Sequence, residues 1–221
     1  MPTRYTLYSS REEIEEHLQA PFAADSSYQP SYNIYPEQKK PIARVDHSGK
    51  RSIQPYQWGL ADPKNSNSLL VDTHKNDFDE TAYLNGLLQH KRCIIPANGF
   101  FEWKTLTDSQ EPFYLRMLNK SLIGFAGLYD QLKTDEGDTY YAFAIITVEA
   151  NAMVKPLSDS MPAILPRDSY DIWLNREVQD TSVLRELLKP AVIYEMAALR
   201  VPDLVNDSNN DSPELIQPIP K

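Results

Sequence analysis

The chain has 221 residues, of which 41% are hydrophobic, and a formal net charge of −9. This apolar content excludes a disordered chain, and no run of about eighteen apolar residues is present that could span a membrane. The first residues lack the basic and then apolar pattern of a signal peptide, so we expect a cytoplasmic protein with no membrane partner. A single cysteine excludes a disulfide framework. The four histidines lack ligand spacing, and we expect neither a metal nor a cofactor.

The predicted elements are a mixture of helices and strands. Ser10 and Glu13 form a capping box that begins a helix running to about residue 19. A second capping box, Asp77 with Glu80, predicts a helix with apolar residues at helical spacing. Strands are predicted over residues 41–45, 52–60, 93–95, 100–104, 113–117, 122–129 and 140–148, and helices over 167–174 and 182–188. After residue 202 we expect an extended tail. The fold class is α+β: one domain over residues 1–221, with a curved, mainly antiparallel sheet or barrel-like core and covering helices.

One carboxylate stands out in the middle of the chain. Glu102 lies between Phe101 and Trp103, just after the apolar run that begins at Cys93. Burial in such surroundings disfavours the charged form and would raise the pKa of Glu102 into a range useful for proton transfer. Cys93 itself precedes two isoleucines in a predicted core strand, and we expect a buried structural thiol there.

Several segments in order along the chain resemble one known family. They are Ser31-Tyr32-Asn33-Ile34-Tyr35-Pro36-Glu37-Gln38, Gln57-Trp58-Gly59-Leu60, residues 92–104, Ala126-Gly127-Leu128-Tyr129, residues 145–151, residues 161–165, residues 171–174, and residues 205–206 with 210–216. Together they resemble the SOS response-associated peptidase (SRAP) family. The resemblance implies the SRAP fold and the processing of abasic sites in single-stranded DNA during the response to DNA damage.

The chemistry implied by the resemblance needs four groups. In the family, removal of the first methionine exposes a cysteine whose amine and thiol close a thiazolidine ring on the sugar aldehyde. A glutamate moves protons, a histidine assists sugar opening, and an asparagine orients the terminus or the sugar. Carried over to this chain, the glutamate falls on Glu102, the cysteine on Pro2 and the histidine on Ser158. The asparagine falls, by ungapped spacing from Glu102, on Asp72.

These replacements change the expected chemistry. A thiazolidine ring cannot form without a thiol at position 2, and Ser158 cannot titrate near neutral pH. A carboxylate at Asp72 close to Glu102 would raise one of the two pKa values and would oppose binding of nucleic acid. A shift of a few residues in the loop 61–71 would instead bring Asn67 or Asn76 to the position of Asp72.

The residues expected to contact DNA are few. Arg4 and Trp103 are the predicted phosphate contact and base-stacking platform, Asn33 lies in one of the similar segments, and His74 lies near the expected cleft. The net charge of −9 opposes strong binding of nucleic acid, although a local basic groove remains compatible with it. The basic residues at positions 39, 40, 44, 50 and 51 are interpreted first as a solvated loop and strand edge.

Pro2 allows a different enzymatic reading. Removal of Met1 would leave a secondary amine that can attack an aldehyde and form an iminium beside Glu102, as in an N-terminal proline lyase. Three functions therefore remain open for what we expect to be a monomer. They are an SRAP-like protein acting on abasic DNA, a catalytically inactive relative that still binds single-stranded DNA, and a protein-interaction module that has left nucleic acid.

Overall fold

The computed structural model describes residues 3–65, 68–134 and 136–219. Its helices are α1 (Arg11–Leu18), α2 (Ala82–His90), α3 (Tyr170–Leu174) and α4 (Thr181–Glu186). Its strands are β1 (Tyr5–Leu7), β2 (Ser31–Ile34), β3 (Lys39–Val45), β4 (Arg51–Trp58), β5 (Leu60–Ala61), β6 (Leu69–Leu70), β7 (Asp72–His74), β8 (Arg92–Ala97), β9 (Gly99–Thr105), β10 (Gln110–Met117), β11 (Ile123–Lys133), β12 (Thr139–Glu149), β13 (Ser160–Pro162), β14 (Ile164–Leu165) and β15 (Met196–Arg200). Short 3₁₀ helices span Lys75–Asp79, Arg167–Ser169, Ile193–Glu195, Asp203–Asn206 and Pro213–Ile216.

The larger sheet closes on itself as a barrel. Strand β12 pairs with β4, β4 with β3, β3 with β8, β8 with β11, and β11 returns to β12. Every step of this circuit is antiparallel except the one between β4 and β12, where Gln57 lies opposite Ala142. Closure removes the exposed edges that an open sheet would present. The prediction of an α+β fold with a mainly antiparallel, barrel-like core is confirmed.

A second sheet stands beside the barrel, in the order β15-β10-β9-β1-β2. Strands β8 and β9 are separated only by Asn98, so the apolar run leaves the barrel and enters the second sheet without a loop. The Asn98 side chain fixes this junction, because it accepts hydrogen bonds from the backbone N–H groups of Tyr8 (2.7 Å) and Ser9 (3.2 Å). Gly99 begins β9 where β10 approaches closely, and a Cβ there would lie 2.4 Å from the carbonyl oxygen of Leu115.

The sequence predicted the start of helix α1 correctly and the start of helix α2 incorrectly. The capping box of Ser10 and Glu13 begins α1 as predicted. The prediction that Asp77 and Glu80 form a capping box at the start of α2 is wrong. Helix α2 begins after Thr81, whose hydroxyl accepts a hydrogen bond from the N–H of Leu84 at 3.2 Å. Asp77 belongs instead to the preceding 3₁₀ turn. Aspartate and threonine are both good N-cap residues, so the local sequence alone does not choose between them.

The carboxyl-terminal segment is more structured than the expected extended tail. Two of its stretches form 3₁₀ turns, and Val201, Val205 and Leu215 are buried against Phe101 and Tyr114 of the second sheet. These apolar residues are spaced too irregularly to form a helical or strand pattern, which is why the sequence predicted only a polar tail. Their burial fixes the tail across the strand that carries Glu102.

Candidate functional site

Strand β9 places Glu102 inside the protein. Side chains alternate between the two faces of a strand, so Glu102 shares a face with Phe100, while Phe101 and Trp103 face the tail. Glu102 is 4% exposed and lies opposite Phe113 of β10. A carboxylate with so little access to water is costly to keep charged, which marks the position as a candidate site.

Glu102 lies in the wall of a cleft with a volume of about 430 Å³. Its lining residues are mostly polar: Thr3, Arg4, Glu102, Trp103, Thr105, Gln110, Leu157, Ser158 and Asn206. Thr3, the first described residue of the chain, lines the same cleft as Glu102. Pro2, the predicted position of the nucleophile, lies outside the described residues.

Two carboxyl groups in this region hold protons more tightly than usual. Burial raises the pKa of Glu102, and the charge of Asp72 acts in the same direction, while a hydrogen bond with Ser158 acts against it. Burial also raises the pKa of Asp72, to about 6; the charge of Asp77 adds to the rise and a hydrogen bond with Thr147 opposes it. In both carboxyl groups the pKa is moved towards neutral pH, which is the direction that proton transfer by a carboxyl group needs.

The structure brings together three of the four carried-over positions. Ser158 and Glu102 line the same cleft and interact with each other. Asp72 lies on β7, opposite Ile145 of β12, close enough for its charge to act on Glu102. Asn76, the residue of the alternative register, lies in the 3₁₀ turn with its N–H bonded to His74 Nδ1 at 3.3 Å, and like Asp72 it is not among the residues that line the cleft. Asn67 lies outside the described residues.

The residues predicted to contact DNA are held in one network. The Arg4 guanidinium donates to Asn33 Oδ1 at 2.7 Å and to the Asn206 carbonyl oxygen at 3.3 Å, and it lies 5.5 Å from the ring centre of Tyr35. The indole Nε1 of Trp103 donates to Asn206 Oδ1 at 2.8 Å. Arg4 and Trp103 both line the cleft, so the structure brings these two predicted contact residues together.

Asn33 and His74 occupy different surroundings. Asn33 is 1% exposed, and its amide donates to the backbone oxygens of Val205, Asp207 and Asn210, which attaches the tail to β2. His74 caps the 3₁₀ turn and is not among the residues that line the cleft. Asn33 therefore acts on the site by holding the tail and Arg4.

Sequence reasoning missed Asn206. This residue bridges Arg4 and Trp103, although it is far from both along the chain. The only signal for it was the similarity of residues 205–216 to the closing segment of the family, which gave no role. Thr105 and Gln110, at the facing ends of β9 and β10, were likewise missed. In the described ranges, no group of three His, Cys, Asp or Glu residues could hold a metal ion, and no helix is long and apolar enough to cross a membrane.

Fold and site together define an α+β protein with a closed barrel and a cleft that is lined by the buried carboxylate of Glu102. The chain matches the family described as SOS response associated peptidase (SRAP) over residues 1–208, and it belongs to that family. It is 34% identical over 220 residues to the abasic site processing protein YoqW of Bacillus subtilis, covering 97% of this chain and 98% of that protein. It is 28% identical to the abasic site processing protein HMCES of Xenopus tropicalis, covering 87% of this chain and 67% of that protein.

A solved structure shares the fold. The crystal structure of a protein from Bacteroides thetaiotaomicron superposes with a TM-score of 0.83 and covers 98% of this chain and 99% of its own. The sequence identity is 20%, so this likeness supports the architecture alone. The resemblance seen in the sequence is confirmed at the level of family and fold.

Proposed function

We propose that this protein binds abasic sites in single-stranded DNA, with the open sugar in the cleft beside Glu102. The observation that carries the proposal is the buried carboxylate of Glu102 in a cleft that Thr3 and Arg4 also line. The relatives YoqW and HMCES are both named as abasic site processing proteins, which supports the same substrate class.

The DNA contacts are assigned to the network around the cleft. Arg4 supplies the positive charge for a phosphate, and the indole of Trp103 supplies a flat surface on which a base can stack. Asn206 holds both side chains in place through its carbonyl and its Oδ1. We propose that the protein is a monomer with one domain, and the core that joins the barrel to the second sheet supports the single domain.

The cross-link of this protein differs from a thiazolidine. Position 2 is proline, and Cys93 is fully buried in the barrel, where burial raises the pKa of its thiol well above the usual range. No sulfur is therefore in reach of the cleft to close the ring. Free, buried Cys93 also fits a reducing compartment, and we place the protein in the cytoplasm.

The second candidate function is a lyase that uses Pro2. After removal of Met1, the proline nitrogen would attack C1′ of the sugar aldehyde, and the resulting hydroxyl would leave as water with a proton from Glu102. The iminium so formed would lose a C2′ proton to the Glu102 carboxylate, and the electrons would expel the 3′ phosphate. Water would then release the product. The position of Thr3 in the cleft of Glu102 favours this candidate.

Borohydride trapping on single-stranded DNA with one abasic site tests the proposal. The wild type should form an adduct that borohydride traps. A yield of trapped adduct that falls tenfold or more in Glu102→Gln and is unchanged in Glu16→Gln supports amine chemistry assisted by Glu102. Glu16 is an exposed residue of α1, so the control removes the same charge away from the cleft. Mass spectrometry must confirm that Met1 is absent.

Binding and chemistry are separated by a second measurement. Fluorescence anisotropy should show tighter binding to abasic than to intact single-stranded DNA, and Trp103→Ala should remove this preference. If the protein prefers abasic DNA but forms no trapped adduct, it is a binding protein and the lyase candidate is refuted. Equal, weak affinity for both DNAs would refute the abasic-site proposal itself.

A further inference from the structure

A second polar pocket lies at another part of the barrel. It has a volume of about 210 Å³, and we call it the Arg44 pocket. The charged side chains and histidines among its described lining residues are Arg44, His47, His90, Lys91, Arg176 and Asp46. Five of these six are basic or can become so, in a chain whose net charge is −9. A cluster of cationic groups on a protein with a negative net charge creates a local positive potential that attracts anions.

The acidic groups near the Arg44 pocket do not neutralise its arginines. Asp46 Oδ1 accepts hydrogen bonds from the N–H and hydroxyl of Ser48 and from the N–H of Lys50, so this carboxylate closes its own turn. Asp130 forms an ion pair with Lys91. Arg44 and Arg176 form no ion pair with any described residue.

Arg44 is held by aromatic rings in place of a carboxylate. Its guanidinium carbon lies 5.9 Å from the ring centre of Tyr56, 5.5 Å from that of Tyr129 and 6.0 Å from that of Tyr141. Its Nε is buried and has no hydrogen-bond partner among the described residues. Hydrogen bonds with Tyr56 and Tyr129 also hold Arg44 and raise its pKa. A guanidinium carries more N–H donors than these contacts use, so the remaining donors stay available for a ligand.

A further positive charge lies close to the Arg44 pocket. Arg92 is 5% exposed and donates to the carbonyl oxygens of Leu88, Gln89, Trp173 and Asn175, with no carboxylate among these partners. Burial first, and the charge of Arg176 second, lower the pKa of Arg92 to about 10. The two guanidinium groups therefore repel each other, and an anion bound between the cations would relieve this repulsion.

We propose that the Arg44 pocket binds a phosphate group, free in solution or at the end of a nucleotide, with the guanidinium groups of Arg44 and Arg176 as its main donors. Planar guanidinium groups match the oxygen geometry of phosphate. Tyr141 offers a place for a base, because it is 38% exposed and its ring stacks on Tyr56 at 4.9 Å.

The Arg44 pocket is separate from the cleft of Glu102. Tyr141 lies near the start of β12, whereas Thr147, which bonds Asp72, lies near its end. Six residues of extended strand correspond to about 20 Å. The phosphate proposal therefore does not rest on the function assigned to the cleft.

Isothermal titration calorimetry of the full-length protein with inorganic phosphate, at constant ionic strength, tests the proposal. We expect saturable binding that Arg176→Gln and Arg44→Met each weaken about tenfold or more, since each removes a charged donor. Arg200→Gln is the matched control, because it removes the same charge from an exposed ion pair with Glu111 on β10. Methionine keeps the volume that packs between the tyrosines. Because Arg176 is on a surface loop, Arg176→Gln remains informative if Arg44→Met unfolds.

The source of the phosphate is distinguished by a second titration with a deoxynucleoside 5′-monophosphate. Tighter binding than inorganic phosphate, with the difference lost in Tyr141→Ala, assigns the site to a nucleotide. Equal binding of the two ligands, still dependent on Arg44 and Arg176, assigns it to the free anion. Absence of saturable binding, or affinities that neither arginine substitution changes, would overturn the proposal.

Discussion

The indole Nε1 of Trp103 donates a hydrogen bond to Asn206 Oδ1 across 2.8 Å and so joins the strand of Glu102 to the tail. The backbone carbonyl of the same Asn206 accepts from Arg4 at 3.3 Å. One residue of the tail therefore sets the positions of the two side chains assigned to DNA. The tail therefore belongs to the site.

Asn206→Ala should weaken binding of abasic single-stranded DNA by about threefold to tenfold, because Trp103 and Arg4 lose their common support. The free energy of unfolding should fall by about 1 kcal/mol for the lost hydrogen bond. Anisotropy and chemical denaturation measure the two effects. Asn119→Ala removes a comparable side-chain acceptor from an exposed turn and should leave DNA affinity unchanged. Equal affinities in both variants would contradict the role given to Asn206.

Asp72 should make the protein less stable as pH rises from about 4 to 6. Its pKa is raised to about 6 by burial, so the folded state binds more protons than the unfolded state in this window. The free energy of unfolding then decreases with increasing pH, by about 1–3 kcal/mol in total. Asp72→Asn should remove this decrease and be the more stable protein at pH 7. Denaturation curves at pH 4, 5, 6 and 7 measure it, with exposed Asp25→Asn as the control.

The same substitution should strengthen DNA binding. A charged Asp72 repels phosphate, and one unit charge at about 7 Å in a watery cleft changes affinity by about threefold. Asp72→Asn should therefore bind abasic single-stranded DNA about threefold more tightly than wild type at pH 7.5. The advantage should shrink at pH 5, where wild-type Asp72 is protonated. A constant advantage at both pH values would show that another property of the amide is responsible.

Gly99→Ala should destabilise the protein by about 2 kcal/mol or more, since the new Cβ would lie 2.4 Å from the Leu115 carbonyl and 2.6 Å from the Tyr114 hydroxyl. Gly86→Ala is the matched control: no atom lies within 4 Å of its Cβ, and it is inside helix α2. This control should stabilise the protein by about 0.5–1 kcal/mol. Thermal denaturation compares the two, and similar melting temperatures would contradict the close approach of β9 and β10.

The sequence predicted the elements whose signals are local. The capping box of Ser10, the apolar strands and the burial of Glu102 all follow from residues a few positions apart. The closure of the barrel could not be predicted in this way, because it depends on the parallel pairing of β4 with β12. No periodicity within either strand specifies that pairing.

The site was predictable in its position and not in its organisation. Ungapped spacing from Glu102 placed Asp72 near it, and the charge of Asp72 acts on Glu102 in the structure. Asn206 was out of reach, because its contacts depend on where the tail crosses the second sheet. The tail is fixed by Val205 and Leu215, whose irregular spacing resembles neither a helix nor a strand. Contacts of this kind are tertiary, and a single sequence does not contain them.

The parallel junction between β4 and β12 also has a consequence for how the protein forms. Gln57 and Ala142 are neighbours in the barrel and distant in the chain, so a ribosome must complete β12 before the barrel can close. Pairings of such long range make folding slow, on the order of milliseconds to seconds. β7, which carries Asp72, has β12 as its pairing partner in the sheet. Asp72 therefore takes its place late in folding, and partly synthesised chains would expose the barrel strands before Ser158 and Asn206 complete the cleft of Glu102.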